Sequence, residues 1–156
     1  MPGTVALADG VEVAESPAEE LDLWLDVVVT GFAHPDDQGV AANEQFPREA
    51  LERVIGDLGS SQGFVRYLAR REGEPAGGAS LRLFEGVAQL AGAATLPAHR
   101  RRGVQSSLLA ARLERAAAAG CELAVVTTEP GSKSQQNVQR QGFELLYSRA
   151  VLVRGG

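Results

Sequence analysis

The sequence has few of the features that mark secreted, membrane-bound or nucleic-acid-binding proteins. Its single cysteine, Cys121, cannot form an internal disulfide, so a reducing cytoplasm is the expected setting. No apolar run approaches the roughly 18–20 residues that span a bilayer, and the first ten residues lack the basic start and apolar centre of a signal peptide. The net charge of −5 argues against general binding to nucleic acid or to an anionic membrane. We therefore expect a cytoplasmic protein with neither partner.

Two common nucleotide-binding motifs are also missing, and the sequence offers no convincing metal cage. There is no Gly-x-x-x-x-Gly-Lys-Ser/Thr, which excludes a nucleotide-kinase loop, and no Gly-x-Gly-x-x-Gly dinucleotide fingerprint. The stretch His34-Pro35-Asp36-Asp37 has possible ligands, but a flexible loop holds them poorly, so we expect no metal. With 156 residues, 44% of them apolar, the chain suits one domain spanning residues 1–156, with residues 1–10 as a loose tail.

Hydrophobic spacing predicts alternating helices and strands along the chain. A short strand at 11–14 precedes a helix that begins with a capping-box pair, Ser16 and Glu19, and ends near Gly31. A second helix is predicted at 47–55, a third that opens within residues 99–109 and reaches about Ala119, and a fourth at 134–141. Further strands are predicted at 64–69, 76–84, 87–96, 122–128 and 143–153, the strand at 122–128 being buried.

The strongest functional signal is the basic turn, His99-Arg100-Arg101-Arg102-Gly103-Val104-Gln105-Ser106. It follows the apolar strand and Pro97, and it opens a helix rich in alanine and leucine. The first N–H groups of a helix have no partner within it and carry partial positive charge, to which the arginines add. The turn therefore predicts a site for a di-anion such as a pyrophosphate. Taken alone, it could also be a solvated basic helix start.

The turn also resembles a known family. Arg100-x-x-Gly103-x-Gln105 is similar to the acyl-CoA-binding loop of the GNAT superfamily of N-acetyltransferases, which usually reads Arg/Gln-x-x-Gly-x-Gly/Ala. Gln105 departs from that pattern, but its backbone N–H is still available to a phosphate. The string Glu129-Pro130-Gly131-Ser132-x-Ser134-Gln135-x-Asn137-x-x-Arg140-Gln141-Gly142-Phe143 looks like one bacterial branch of the superfamily. Members of that branch are often longer, so the chain could be a short relative or an excised C-terminal half.

The resemblance implies an α/β fold whose central mixed sheet is flanked by helices. The sheet would be splayed between strands 87–96 and 122–128 to admit the pantetheine arm of acetyl-CoA, the implied co-substrate. Backbone groups of 94–96 would pair with the pantetheine amides, and the N–H groups of 102–106 would hold the pyrophosphate. The complete set expected to bind the co-substrate is Ala94, Thr95, Leu96, Arg100, Arg101, Arg102, Gly103, Val104, Gln105, Ser106 and Asn137.

The implied activity is transfer of an acetyl group to a small-molecule or peptidic amine, by a monomer or a homodimer. Many relatives carry a tyrosine acid four residues before the Gly-Phe glycine, where this chain has Val138. Tyr147 is a candidate acid and Glu129 a candidate base; the alternatives are a core tyrosine with its hydroxyl at the surface and a solvated turn residue that begins a helix. A water chain could also remove the proton. The missing tyrosine leaves a second interpretation open, a non-catalytic acyl-CoA-binding or sensing domain.

Overall fold

The computed structural model describes residues 5–6, 8–34, 48–59, 63–128, 132–148 and 152. The described strands are β1 (Val5–Ala6), β2 (Val11–Glu15), β3 (Phe64–Arg71), β4 (Glu74–Phe84), β5 (Val87–Thr95) and β6 (Leu123–Val126). The described helices are α1 (Leu21–Ala33), α2 (Arg48–Gly59), α3 (Val104–Ala118) and α4 (Lys133–Arg140). The strands form one sheet in chain order, antiparallel throughout except for the parallel pair β5 and β6. The predicted mixed α/β sheet is thereby confirmed.

The sheet is covered on both faces, because successive residues of a strand point to opposite sides. On β3, Tyr67 belongs to the apolar cluster that includes the buried face of α3. The next residue, Leu68, belongs instead to a cluster formed by α1, α2 and the end of β5. Trp24 of α1 is buried, and its Nε1 donates hydrogen bonds to the carbonyl oxygens of Tyr67 (3.1 Å) and Ala79 (3.3 Å). Helix α1 is thus tied to the middle of the sheet.

Strands β5 and β6 separate part of the way along their length. They pair only from Val87↔Leu123 to Leu90↔Val126, whereas the pairing of β5 with β4 continues to Thr95. Beyond Leu90, therefore, one edge of β5 faces a gap and not a neighbouring strand in the described part of the chain. The pairing with β4 shifts register in this stretch, so that Gly92 and Ala93 together oppose the single residue Ala79. Gly92 has φ = +50°, as bulge glycines often do.

The N-terminal part of the chain differs from its prediction in three respects. The expected tail includes β1, which pairs antiparallel with β2. Ser16 does not form a capping box with Glu19. Its hydroxyl donates instead to the Glu20 carboxylate (3.3 Å), because a 3-10 turn at Ala18–Glu20 precedes α1. Helix α1 also continues past Gly31 to Ala33. A Cβ on Gly31 would lie 2.7 Å from the Cβ of Ala94, so this glycine permits close packing and does not end the helix.

The C-terminal part differs from its prediction as well. The predicted strand at 122–128 was expected to be buried, but β6 covers only Leu123–Val126 and is half-exposed, because it lies at the edge of the described sheet. The predicted closing strand is not found in the described residues 143–148, which have no regular secondary structure. Three large side chains in this segment are exposed: Leu145, Leu146 and Tyr147.

Candidate active site

A cleft of about 720 Å³ opens where β5 and β6 part. One wall is the free edge of β5, residues 90–95, and the other is formed by the end of β6 and by α4. The basic turn and the first turn of α3 close one end, and Gly31 and Phe32 of α1 lie beside β5. The cleft therefore joins an unpaired strand edge to a helix N-terminus, which is the arrangement that the family resemblance implies.

Two left-handed residues shape the basic turn. After a 3-10 turn at Pro97–His99, Arg101 has φ = +61° and Gly103, the N-cap of α3, has φ = +80°. A Cβ on Gly103 would also lie 2.8 Å from the Cβ of Ala8, so both backbone angle and packing favour glycine. Having no side chain, Gly103 leaves the N–H groups of the first helical turn uncapped. They carry the positive end of the α3 dipole into the cleft.

The three arginines of the turn have different surroundings. The guanidinium of Arg100 donates to the carbonyl oxygens of Gly31 (3.2 Å) and His34, and so caps the last turn of α1 although it also borders the cleft. Arg101 and Arg102 are both exposed, but only Arg101 is one of the lining residues. Of the three side chains, Arg101 is therefore best placed to reach a bound anion.

The backbone of β5 corrects part of the expected co-substrate contacts. The N–H of Leu96 donates to Ala76 (2.8 Å) and its carbonyl accepts from His99 (2.9 Å), so both of its polar groups are already used. Residues of a strand alternate in the side to which their polar groups point. The backbone N–H and carbonyl groups of Ala94 therefore also point to β4, and the backbone groups of Ala93 and Thr95 point to the free edge. Leu96 is therefore no longer a candidate for pairing with the pantetheine amides. Ala94 lines the cleft without offering a backbone hydrogen bond to it.

The remaining expected residues, Gly103, Val104, Gln105, Ser106 and Asn137, all line the cleft. Gln105 is half-buried, and its Nε2 donates a short hydrogen bond to the Thr95 hydroxyl (2.6 Å). Its side chain therefore reaches toward the end of β5. Asn137 lies on α4, whose first turn is capped by Ser132 accepting from the N–H of Gln135 (3.1 Å).

Arg112 is a cleft residue that the sequence analysis missed. Its side chain is only 4% exposed, and it donates to the carbonyl oxygens of Leu108 (3.2 Å), Ser80 (3.1 Å) and Ala91 (3.5 Å). Burial lowers the pKa of this guanidinium to about 10, with the nearby Tyr67 opposing the shift. Arg112 therefore remains charged at neutral pH. A signal was present, since it follows Val104 and Leu108 at intervals of four on the apolar face of α3.

Of the two candidate catalytic residues, only Tyr147 belongs to the described part of the chain. Glu129 lies outside the described residues, and Tyr147 is 73% exposed and is not one of the lining residues. Val138, at the position of the usual tyrosine, does line the cleft. Within the described residues the ionisable side chains of the lining are all basic: His99, Arg100, Arg101, Arg112, Lys133 and Arg140.

The described residues contain no group of three or more His, Cys, Asp or Glu side chains that could hold a metal ion. Of the motif considered for a metal, only His34 is described, and its Nδ1 lies 3.0 Å from the Thr30 carbonyl oxygen. Nor is any described helix long and apolar enough to cross a membrane.

The mixed sheet flanked by helices matches the class of acyl-CoA N-acyltransferase folds. The model of the acetyltransferase (GNAT) family matches residues 32–143, so the chain belongs to this family. It is therefore an acetyltransferase, and acetyl-CoA as its co-substrate fits the family. No curated protein matches the sequence significantly.

Solved structures agree with this fold. The aminoglycoside N-acetyltransferase AAC(6')-Iy in complex with CoA is 21% identical with a TM-score of 0.65, over 98% of this chain and 96% of that one. A transcriptional regulator from Bacillus halodurans C-125 is 19% identical with a TM-score of 0.65, over 92% and 99%. A soil metagenomic aminoglycoside acetyltransferase in complex with sisomicin is 15% identical with a TM-score of 0.64, over 95% and 97%. At these identities the similarity supports the fold.

Proposed function

We propose that this protein transfers the acetyl group of acetyl-CoA to the amino group of a small molecule. The observation that carries this proposal is the continuity of the cleft, which runs from the free edge of β5 to the N-terminus of α3. A strand edge suits the amide groups of pantetheine, and a helix N-terminus suits a pyrophosphate. Acetyl-CoA carries both kinds of group in one extended molecule.

The pyrophosphate is assigned to the N–H groups of residues 102–106, with the Arg101 guanidinium as the nearest charged side chain. The pantetheine amides are assigned to the outward-facing backbone groups of Ala93 and Thr95. Asn137 lies across the cleft from them, on α4. These assignments place the thioester farther along β5, near Gly92.

The Gly92 N–H is the proposed donor to the thioester carbonyl. The Ala91 carbonyl points toward β4, since it accepts a hydrogen bond from the Ser80 hydroxyl (2.8 Å). The described peptide bonds are all trans, so the N–H of the same peptide points the other way, into the gap beyond Leu90. An N–H fixed in this direction stabilises the oxyanion that forms when an amine attacks the carbonyl carbon.

The reaction needs a neutral amine, which attacks the thioester carbon and then loses a proton as the C–S bond breaks. The leaving thiolate has a pKa near the free-thiol value of roughly 8.5, so it can depart without an acid. This is consistent with Val138 at the position of the usual tyrosine. Glu129 and a water chain remain the two candidates for accepting the proton.

Similarity to aminoglycoside acetyltransferases supports a small-molecule amine as acceptor, in line with the sequence resemblance. Family membership favours the enzyme over a non-catalytic acyl-CoA sensor. The cytoplasmic location and the monomeric or homodimeric state stay predictions.

The test is release of free CoA from acetyl-CoA in the presence of aminoglycosides, polyamines, amino acids and short peptides, each assayed separately. We expect at least one small-molecule amine to be acetylated, with the product identified by a mass increase of one acetyl group. Tight binding of acetyl-CoA without CoA release from any amine would support the sensor and contradict the enzyme. Acetylation of peptides alone would contradict the acceptor class.

A further inference from the structure

Arg112 is an unusual residue for its position, because a charged group has been placed on the apolar face of α3. Removing a guanidinium from water is costly unless hydrogen bonds replace the lost hydration. Here the replacements include backbone carbonyl oxygens on two neighbouring strands, Ser80 on β4 and Ala91 on β5. A leucine or methionine would fill the same apolar face without that cost. The charge therefore needs an explanation beyond packing.

The Ser80 side chain also hydrogen-bonds to the Ala91 carbonyl group. Its side chain is 1% exposed and its hydroxyl donates to the Ala91 oxygen over 2.8 Å. A Cβ on Gly92 would lie 3.2 Å from this hydroxyl oxygen. The Ala91 oxygen thus receives two side-chain donors at the bulge, one neutral and one charged.

We propose that Ser80 and Arg112 are positioning residues, which fix and polarise the Ala91–Gly92 peptide so that its N–H binds the thioester carbonyl. The inference rests on the proposed function. Two donors on the carbonyl oxygen hold the peptide plane, which keeps the N–H directed into the gap. A charged donor on the oxygen also polarises the peptide, which makes the opposite N–H a stronger donor. Neither side chain needs to contact the substrate itself.

The experiment compares Ser80→Ala and Arg112→Met with the wild-type protein. The first probe is acetyl-CoA carrying carbon-13 at the thioester carbonyl, whose infrared band is recorded in the bound state without an acceptor. We expect the wild-type protein to shift this band to lower frequency and both variants to return it toward the free value. The turnover number with the amine found in the acceptor panel should fall about 10-fold or more. The Kd for CoA, which lacks the thioester, should change less than about threefold, because the pyrophosphate and pantetheine contacts are untouched.

Arg115→Met is the matched control. This arginine lies on the same helix, but it is half-exposed and pairs with Glu15 (3.2 Å) on β2, away from the cleft lining. We expect it to leave both the carbonyl band and the turnover number near wild type. Arg112→Lys, which retains a charged donor, should recover part of the lost band shift.

A purely structural role for the pair would lower the amount of binding-competent protein and leave the rest with normal turnover and a normal carbonyl band. That result would overturn the proposal. If Arg112→Met does not fold, Ser80→Ala decides, since it removes one oxygen atom and keeps the size of a small residue. Failure of the wild-type protein to bind acetyl-CoA would refute the proposed function. Normal wild-type turnover with an unaffected Ser80→Ala variant would refute the positioning role alone.

Discussion

Gln105 provides the sharpest test of how the basic turn binds its anion. Its Nε2 is engaged with the Thr95 hydroxyl at 2.6 Å, so we assign anion binding to its backbone N–H and not to its side chain. Gln105→Gly should lose one neutral hydrogen bond, about 1 kcal/mol, and up to about 1 kcal/mol of helix propensity. The free energy of unfolding should therefore fall by roughly 1.5–2 kcal/mol, whereas the Kd for CoA should change less than about threefold.

Anion binding by the Gln105 side chain and by its backbone N–H predict very different changes in the Kd for CoA. A side chain that bound a phosphate would contribute about 1.5–3 kcal/mol, and its loss would weaken CoA binding by roughly 10-fold to 100-fold. Calorimetry measures the Kd, and urea unfolding measures the stability of the same preparations. Thr95→Val is the matched variant, since it removes the same hydrogen bond from the other side. A large loss of CoA affinity in a folded Gln105→Gly protein, with Thr95→Val unaffected, would refute the reasoning.

Three further predictions concern charge and protons. Arg101→Ala should weaken CoA binding by roughly 10-fold in calorimetry, and Arg102→Ala should weaken it less. Equal losses in the two variants would mean that both side chains reach the phosphates. Burial raises the pKa of Tyr67 to about 12 from its ordinary 10. Between these two pH values the unfolded protein loses the phenol proton and the folded protein keeps it, so the free energy of unfolding falls as the pH rises above 10. Tyr67→Phe should remove this decline, gaining about 1 kcal/mol relative to wild type between pH 9 and 11 in urea titrations. Glu129→Gln should lower turnover by roughly 100-fold if Glu129 is the base. Unchanged turnover in this variant would leave the water chain as the proton acceptor. The wild-type rate should rise with pH through one ionisation, without a falling limb from a tyrosine acid.

The strand, turn and helix around the cleft were predictable because each has a local cause. The apolar run 87–96, the break at Pro97 and the flexible Gly103 specify a strand followed by a helix N-terminus. The mixed sheet and its splayed edge came from the family resemblance, and the structure reproduces both.

Two features of the site were not predictable from local sequence. Which residues of β5 face the gap depends on the register shift at Gly92, and a run of small residues does not specify register. Ala94 and Leu96 were therefore assigned together with Thr95, whereas Ala93 was missed. Arg112 was missed because its partners are backbone carbonyls on β4 and β5, which only the folded sheet brings to α3.

The expected closing strand is not found in residues 143–148, the stretch of it that the structure describes. Residues 143–148 include two aromatic residues of the kind that favours strands, Phe143 and Tyr147, but strand formation also requires a partner edge. Tyr147 was placed near the chemistry only through that strand, and it is exposed in the structure.

The central claim is that acetyl-CoA lies along the free edge of β5, with its pyrophosphate at the first turn of α3. Titration of the nitrogen-15-labelled protein with CoA, followed by amide chemical shifts, tests it directly. We expect the largest shifts at Ala93, Thr95 and residues 102–106, with small shifts on β1 and β2 at the far side of the sheet. Saturable binding with the largest shifts elsewhere, or no binding at millimolar CoA, would contradict it.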